Sequence, residues 1–460
     1  MSATSDRLSR WTPAMFACAL VNLVLGLLLA VLGLGWPAAP AGVPVSLAMV
    51  HLLTIGWLTL LMFGALFQFV PVITSRKLPS QTLPLVTLIG VEGGLALMVG
   101  GFCALGRSAW AGPLLPMGGG VVIAALVVGG ATLLVPLATK RPMALSARFV
   151  LAGLAFLLLT VLLGLSFALA LTVPATGLVL APLLADGVAY HALAGFGGWF
   201  TLTAIGVSYE LLPMFMLAPH ERGAIGAAVL WIGAGGFLAA FAAGLAAAIW
   251  PAGWIAGLEQ VGRLAIVLAL GLYLADVVRM YRGRRRRQIE LHNRAAIGAF
   301  IALGLAVLLA IGAVATDRLA DLAPSLVLLL LLGWLSGLGL TQLYKVVAFL
   351  SWLSRFGGQL GRGPVPRVQD LVSEPGAAGF FILYFAAVAV AAGAAAFDLV
   401  DVIRAALALA LLAVLLLARE YARAWRAVYA RERLGRPLPV PPPFLARKEP
   451  AHDPSHSRHA

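Results

Sequence analysis

One short pattern occurs three times in this chain. It reads Gly-Trp-x-Thr at residues 56–59 and 198–201, and Gly-Trp-x-Ser at residues 333–336. The three tryptophans, at positions 57, 199 and 334, are 142 and 135 residues apart. A self-similar period of this kind indicates that one structural unit is repeated along the chain.

Each tryptophan is followed by matched residues at three further offsets. Positions separated by seven, eleven and fourteen residues lie on nearly the same face of an α-helix, so the pattern predicts one stripe on each of three helices. At offset eleven the stripes carry three different polar groups, Gln68, Glu210 and Lys345. An aromatic residue precedes each of these: Phe67, Tyr209 and Tyr344.

Composition places these helices in a membrane. The chain of 460 residues is 62% hydrophobic and 11% charged, with a mean hydropathy of +0.99, and a soluble protein could not bury so much apolar surface. Runs of about 20 apolar residues are long enough to cross a bilayer. The sequence therefore predicts an all-α membrane protein with about twelve transmembrane helices, at roughly 14–36, 45–72, 83–105, 116–138, 147–172, 185–215, 225–249, 256–278, 295–316, 323–353, 377–397 and 401–419.

The distribution of basic residues predicts the orientation of these spans. Lys and Arg concentrate in the loops after even-numbered spans, above all in residues 279–287, so both termini are expected in the cytoplasm of a bacterial inner membrane. The net charge of +14 is interpreted as this topology signal and not as a nucleic-acid site. The period divides the membrane domain, residues 1–430, into units of about 1–140, 141–290 and 291–430. Residues 431–460 are expected to form a Pro-rich, polar cytoplasmic tail.

The second helix of each unit carries the stripe, so spans two, six and ten are expected to be innermost. Near the outer ends of two of them lie His51, in span two, and His191, in span six. Twelve spans in three sets of four, with functional groups on spans two, six and ten, resemble subunit I of the heme-copper oxidases and nitric oxide reductases. That resemblance implies heme b at His51 and copper at His191.

The sequence departs from that family at the remaining ligands. Span seven, residues 224–250, and span ten, residues 325–352, contain no histidine, and Gly195 stands where the family has a cross-linked tyrosine. Oxygen reduction, and enzyme activity in general, is therefore not expected. The chain is more similar to degenerate, NnrS-like twelve-span proteins. This resemblance implies a heme- or copper-binding protein in redox or nitric oxide response or in respiratory-complex maturation, with respiratory-chain proteins as partners.

The histidines have alternative roles. His51 is either a heme or metal ligand or a residue hydrogen-bonded locally, for example to Thr54. His51 precedes its tryptophan by six residues and His191 by eight, a difference that rotates a straight helix by about 200°. The two imidazoles are thus expected to face different sites, unless a bulge forms at the glycines of residues 195–198. His220 and His292 are expected to be solvated in loops.

A second function class follows from the stripe itself. A Lys and a Glu in hydrocarbon favour pairing or a water-filled vestibule, so Glu210 and Lys345 are predicted to form a buried ion pair or a relay. In this alternative the protein is a proton- or solute-translocating transporter that uses Gln68, Glu210 and Lys345 and binds no cofactor. Further polar candidates are Glu92 in span three and the pair Glu259 and Arg263 in span eight.

Overall fold

The computed structural model describes residues 9–219, 224–360 and 365–430. These residues form helices joined by short loops, with no strand among them. Eleven helices are long and apolar enough to cross a membrane, and the continuous helical residues 174–216 occupy the place of the remaining predicted span. The predicted all-α membrane protein is confirmed. The tail at residues 431–460 lies outside the described residues.

We number these helices in chain order. Eleven of the twelve predicted spans agree with their helices to within about six residues at each end, whereas the sixth begins at residue 174, well before the predicted residue 185. The helices are α1 Thr12–Leu32, α2 Pro44–Thr74, α3 Leu83–Ala104, α4 Ala111–Thr139, α5 Leu145–Thr172, α6 174–216, α7 Ala224–Ile249, α8 Gly253–Arg282, α9 Leu291–Ala315, α10 Leu319–Gln359, α11 Glu374–Ala395 and α12 Val400–Trp425.

Local chemistry sets several of the helix boundaries. Pro44 begins α2 and Pro174 begins α6, since proline suits a first turn whose N–H groups have no intrahelical acceptor. At the end of α1, Gly33 adopts φ +73°, a left-handed cap that glycine accepts without a steric penalty. A single residue, Val173, separates α5 from α6, which explains why the sixth span begins earlier than predicted.

The repeated pattern forms π-helix in all three units. The π segments are Leu52–Thr59 in α2, Leu193–Thr201 in α6 and Leu329–Ser336 in α10, each continuous with α-helix on both sides. A π turn is wider than an α turn, is rare, and is found frequently at functional sites. The assumption of straight α-helices through the repeat is therefore wrong, and the side chains before each tryptophan point elsewhere than that assumption gives.

The repeated helices lie at the centre of the bundle. The most apolar 18-residue window of α2 is 61% buried and that of α10 is 72% buried, against 44% or less for the other candidate spans. Trp57, Trp199 and Trp334 are each at most 1% exposed. The outer helix pairs pack through small residues: a Cβ on Gly118 of α4 would lie 2.6 Å from the backbone of α3, and one on Gly262 of α8 would lie 2.5 Å from the backbone of α7.

Candidate functional site

The tryptophans of the repeat bind hydroxyl groups of the repeat in another unit. The indole Nε1 of Trp57 donates to Ser336 Oγ at 2.8 Å, which joins the first unit to the third. Trp199 Nε1 donates to Thr59 Oγ1 at 3.3 Å, which joins the second unit to the first. In each case the acceptor is the Thr or Ser two residues after a tryptophan. The repeated motif is thus the place where the three units meet.

The corresponding bond from the third unit to the second, from Trp334 to Thr201, is not made. Trp334 Nε1 is buried with no hydrogen-bond partner among the residues that the structure describes. Its counterpart by symmetry, Thr201, instead donates to the carbonyl of Phe196 at 2.6 Å within the π segment. We define the Trp cluster as Trp57, Trp199 and Trp334 with their hydroxyl positions. The sequence shows the spacing of tryptophan and hydroxyl residue that repeats in the three units. The spacing alone does not reveal that these residues bond between units.

His51 lies directly before the π segment of α2. Its Nδ1 is 2.7 Å from the carbonyl oxygen of Leu47, and because a carbonyl oxygen only accepts, Nδ1 carries the proton. This arrangement leaves Nε2 with its lone pair, the form in which a histidine binds a metal. The ring packs on Phe102, with 5.0 Å between ring centroids. The predicted partner Thr54 instead donates to the carbonyl of Val50.

His191 lies two residues before the π segment of α6. Its Nδ1 is buried without a hydrogen bond to the described residues, and the backbone of Thr160 lies near the ring. The ring meets Phe167 edge-on at 5.7 Å and packs on α5, where a Cβ on Gly164 would be 2.9 Å from His191 Cε1. His51 is close enough for its charge to act on this ring. The π segment Leu193–Thr201 is a bulge of the kind that the alternative of one shared site requires.

The donor set limits what this pair can hold. No group of three or more His, Cys, Asp or Glu side chains in the described parts of the chain could hold a metal ion. The usual copper centre of the resembling family, with its three imidazoles, has no counterpart there. Imidazole is a ligand of both heme and copper, and a copper ion held by two imidazoles alone would keep open positions.

The predicted polar centre is dispersed. Gln68 Nε2 donates to Thr12 Oγ1 at 2.7 Å and to the carbonyl of Ser9 at 2.6 Å, at the start of α1. Glu210 accepts a hydrogen bond of 3.3 Å from Ser146, in the first turn of α5. Each of these side chains therefore contacts the first helix of its own unit and not the common axis.

Lys345 follows the same rule in the third unit. Its Nζ lies 2.5 Å from Glu290 Oε2, directly before α9. The ion pairs of the described residues do not join Lys345 to Glu210, so the predicted Glu210–Lys345 pair is wrong. The physical reason is that offset eleven faces the first helix, where polar partners and the membrane boundary satisfy a charge more readily than an apolar axis does.

Glu290 is the centre of a polar network that the sequence did not predict. Arg286 pairs with its Oε1, Gln369 Nε2 donates to the same atom at 3.1 Å, and His292 Nδ1 lies 3.6 Å from Oε2. Burial raises the pKa of this carboxyl, but the hydrogen bond and charge of Lys345, with smaller contributions from His292 and Gln369, outweigh burial and leave the pKa below its usual value.

His292 contradicts its predicted place in a solvated loop. It lies in the first turn of α9, is 1% exposed, and meets the ring of Phe215 edge-on at 4.8 Å. Its Nε2 is buried without a partner among the described residues. His292 lies in the first turn of the first helix of its unit, as Thr12 and Ser146 do in theirs. Packing of this turn against Phe215 of α6 buries the ring. His220 lies outside the described residues.

The remaining polar candidates lie apart from the histidine pair. Glu92 accepts a 2.8 Å hydrogen bond from Asn22 within the first unit. The Tyr344 hydroxyl is buried without a partner in the described chain, and Tyr209 is buried on the side of Asp276. In α8 the predicted ion pair of Glu259 and Arg263 is confirmed. Tyr190, the neighbour of His191, also donates to Glu259, at 3.0 Å.

No protein-family model matches the sequence, and no curated protein matches it. The fold and the site define an all-α integral membrane protein with a triplicated π-helical motif at its centre and a histidine before the motif in each of the first two units.

Proposed function

We propose that this protein is a heme- or copper-binding integral membrane protein of the oxidase-like superfamily, without oxygen-reducing activity, and that His51 and His191 are the ligands. The observation that carries the proposal is the hydrogen bond from His51 Nδ1 to the carbonyl of Leu47, beside a second imidazole. A metal-ligating histidine commonly donates its other ring N–H to such a carbonyl, which fixes the tautomer and the ring orientation.

The state of His191 supports the same proposal. Its Nδ1 is buried with no hydrogen-bond partner among the described residues. Such a nitrogen calls for a physical explanation, for example an ion or a water molecule. Both histidines lie before the π segments of their helices. They are therefore in the parts of α2 and α6 that are farther from the basic loops. This is the half of the membrane in which the resembling family holds its metal centres.

The chain's own residues would orient the ligands and exclude water. Leu47 holds the ring of His51, and Phe102 covers it. Phe167 and the backbone at Gly164 confine the ring of His191. A heme held by His51 alone, or a copper ion held by both imidazoles, would supply an open coordination position that can take a diatomic gas such as nitric oxide. A role in redox or nitric oxide response, or in respiratory-complex maturation with respiratory-chain partners, is part of this proposal.

The transporter alternative loses its basis in its original form. It required Gln68, Glu210 and Lys345 to share a centre, whereas they bond to three different helix starts, at Thr12, Ser146 and Glu290. The metal-binding proposal is therefore the stronger of the two.

The test is the absorption spectrum and metal content of the detergent-purified protein. We expect a Soret band or stoichiometric copper in the wild type, its loss in His51→Ala, and a reduction in His191→Ala. His292→Gln is the matched control, because it changes a buried histidine of the third unit and should retain the cofactor. A colourless, metal-free wild type would refute the proposal, as would cofactor content that both alanine substitutions leave unchanged.

A further inference from the structure

A cavity of about 110 Å³ lies between α2, α6 and α10, on the side of the Trp cluster that faces the basic loops. The three helices contribute residues at the same offsets from their tryptophans, so the cavity is on the axis that relates the units. At offset four the lining residues are Leu61, Thr203 and Leu338, and at offset eight they are Ala65, Val207 and Gln342.

The lining is almost entirely hydrocarbon. No charged side chain contributes to it, and the hydroxyl of Ser208, which also lines it, is already bonded to Tyr273 at 2.7 Å. A buried water needs two to four polar partners. Thr203 and Gln342 also line the cavity, and both have buried polar atoms without a hydrogen-bond partner among the described residues. The Thr203 hydroxyl lies against Gly153 of α5, where an added Cβ would be 2.3 Å away. This leaves the amide of Gln342, and one amide cannot hold a water cluster. We therefore expect the cavity to exclude water.

We propose that this axial cavity is a binding site for one small, uncharged, apolar molecule, in the size range from a xenon atom to a benzene ring. Enclosed apolar cavities of about 150 Å³ stay dry and bind such molecules. This cavity has a similar size and an apolar lining and is partly open, so a small molecule can enter it. The proposal goes beyond the proposed function, because the cavity lies on the other side of the Trp cluster from the histidines and does not require a metal.

Xenon binding to the detergent-purified full chain, measured by xenon NMR, tests this site. The wild type should give a saturable bound-xenon resonance. Ala65→Phe fills the cavity and should abolish that resonance, whereas Ala131→Phe adds the same ring on the exposed face of α4 and should retain it. Thermal unfolding of each variant reports whether it is folded.

A second variant keeps the test independent of the folding of Ala65→Phe. Leu61→Ala enlarges the cavity and should bind benzene more tightly, detected as a larger rise in unfolding temperature with benzene than the wild type shows. Equal xenon binding by Ala65→Phe and the wild type would overturn the proposal. Absence of saturable binding in the wild type would do so as well, as would a co-purified lipid acyl chain that occupies the cavity.

Discussion

The indole N–H of Trp57 donates a 2.8 Å hydrogen bond to the hydroxyl of Ser336, 279 residues further along the chain. Both side chains are fully buried, and both belong to copies of the same motif. In hydrocarbon, helices gain little from apolar contact alone, and close packing with interhelical hydrogen bonds determines how they associate. This bond and its counterpart from Trp199 to Thr59 therefore fix the order of the three units around their axis.

Ser336→Ala should lower the stability of the protein. The substitution leaves the Trp57 N–H buried and unpaired, which costs about 1–3 kcal/mol. Thr201→Val is the matched control, because Thr201 bonds to Phe196 within its own helix and accepts nothing from Trp334. Thermal unfolding in detergent measures both. A loss for Thr201→Val as large as that for Ser336→Ala would contradict a role for the bond between units.

The sequence predicted the spans because a membrane helix is a long, local signal. It also predicted that the stripes of Gln68, Glu210 and Lys345 occupy equivalent positions, and they do. What it placed wrongly was the direction of the stripe. Residues at offsets four, five, eight and nine from the tryptophans face the axis, roughly 120° around the helix from those at offsets seven, eleven and fourteen. Matched polarity at one offset therefore does not indicate a shared centre.

The other errors have separate physical causes. The relative orientation of His51 and His191 could not be predicted, because a π segment follows each of them and helical periodicity read from sequence assumes α geometry throughout. The Glu290 network joins the loop before α9 to Gln369, 79 residues later, and no spacing rule predicts a contact between loops. The hydrogen bonds of the Trp cluster depend equally on tertiary packing.

Lys345 should be coupled to Glu290 and not to Glu210. In a double-mutant cycle, Lys345→Met and Glu290→Gln should show an interaction energy of about 1–3 kcal/mol, since either single change leaves an opposite charge without its main partner. Lys345→Met and Glu210→Gln should add to within about 0.5 kcal/mol. Unfolding temperatures of the six proteins provide the measurement. Strong coupling in the second cycle would restore the original pairing and contradict the network.

Stability should fall in acid because of Glu290. Its pKa is below the usual value of 4.5 in the folded protein, so above that pH its ionised form stabilises the fold, and the contribution is lost as pH falls through the folded pKa. The difference in unfolding temperature between the wild type and Glu290→Gln should be constant near neutral pH and shrink below about pH 4.5. Asp401→Asn is the control, because that side chain is 97% exposed and solvent screens its pairing. A gap for Glu290→Gln that is independent of pH would refute this linkage.

Gly164→Ala should disturb His191, the proposed ligand, without unfolding the protein. The added methyl group would lie 2.9 Å from His191 Cε1, so the ring must turn away, and the proposed metal or heme content should fall. Gly120→Ala, where a Cβ meets nothing within 4 Å, should retain the wild-type content. Metal analysis and absorption spectra compare the two at equal amounts of folded protein. Full cofactor content in Gly164→Ala would show that the position of His191 is immaterial.

Two glycines of α8 should respond to alanine in opposite directions. A Cβ on Gly262 would be 2.5 Å from the backbone nitrogen of Ala240 and 2.8 Å from the carbonyl of Gly236, and backbone atoms cannot move aside as a side chain can, so α7 and α8 must separate. Overpacking of this kind costs about 1–3 kcal/mol. Gly271, on the same helix, meets nothing within 4 Å, and alanine there should stabilise the helix by about 0.5–1 kcal/mol. Unfolding temperatures of the two variants should lie on either side of the wild type, and a neutral Gly262→Ala would mean that α7 and α8 do not require this close approach.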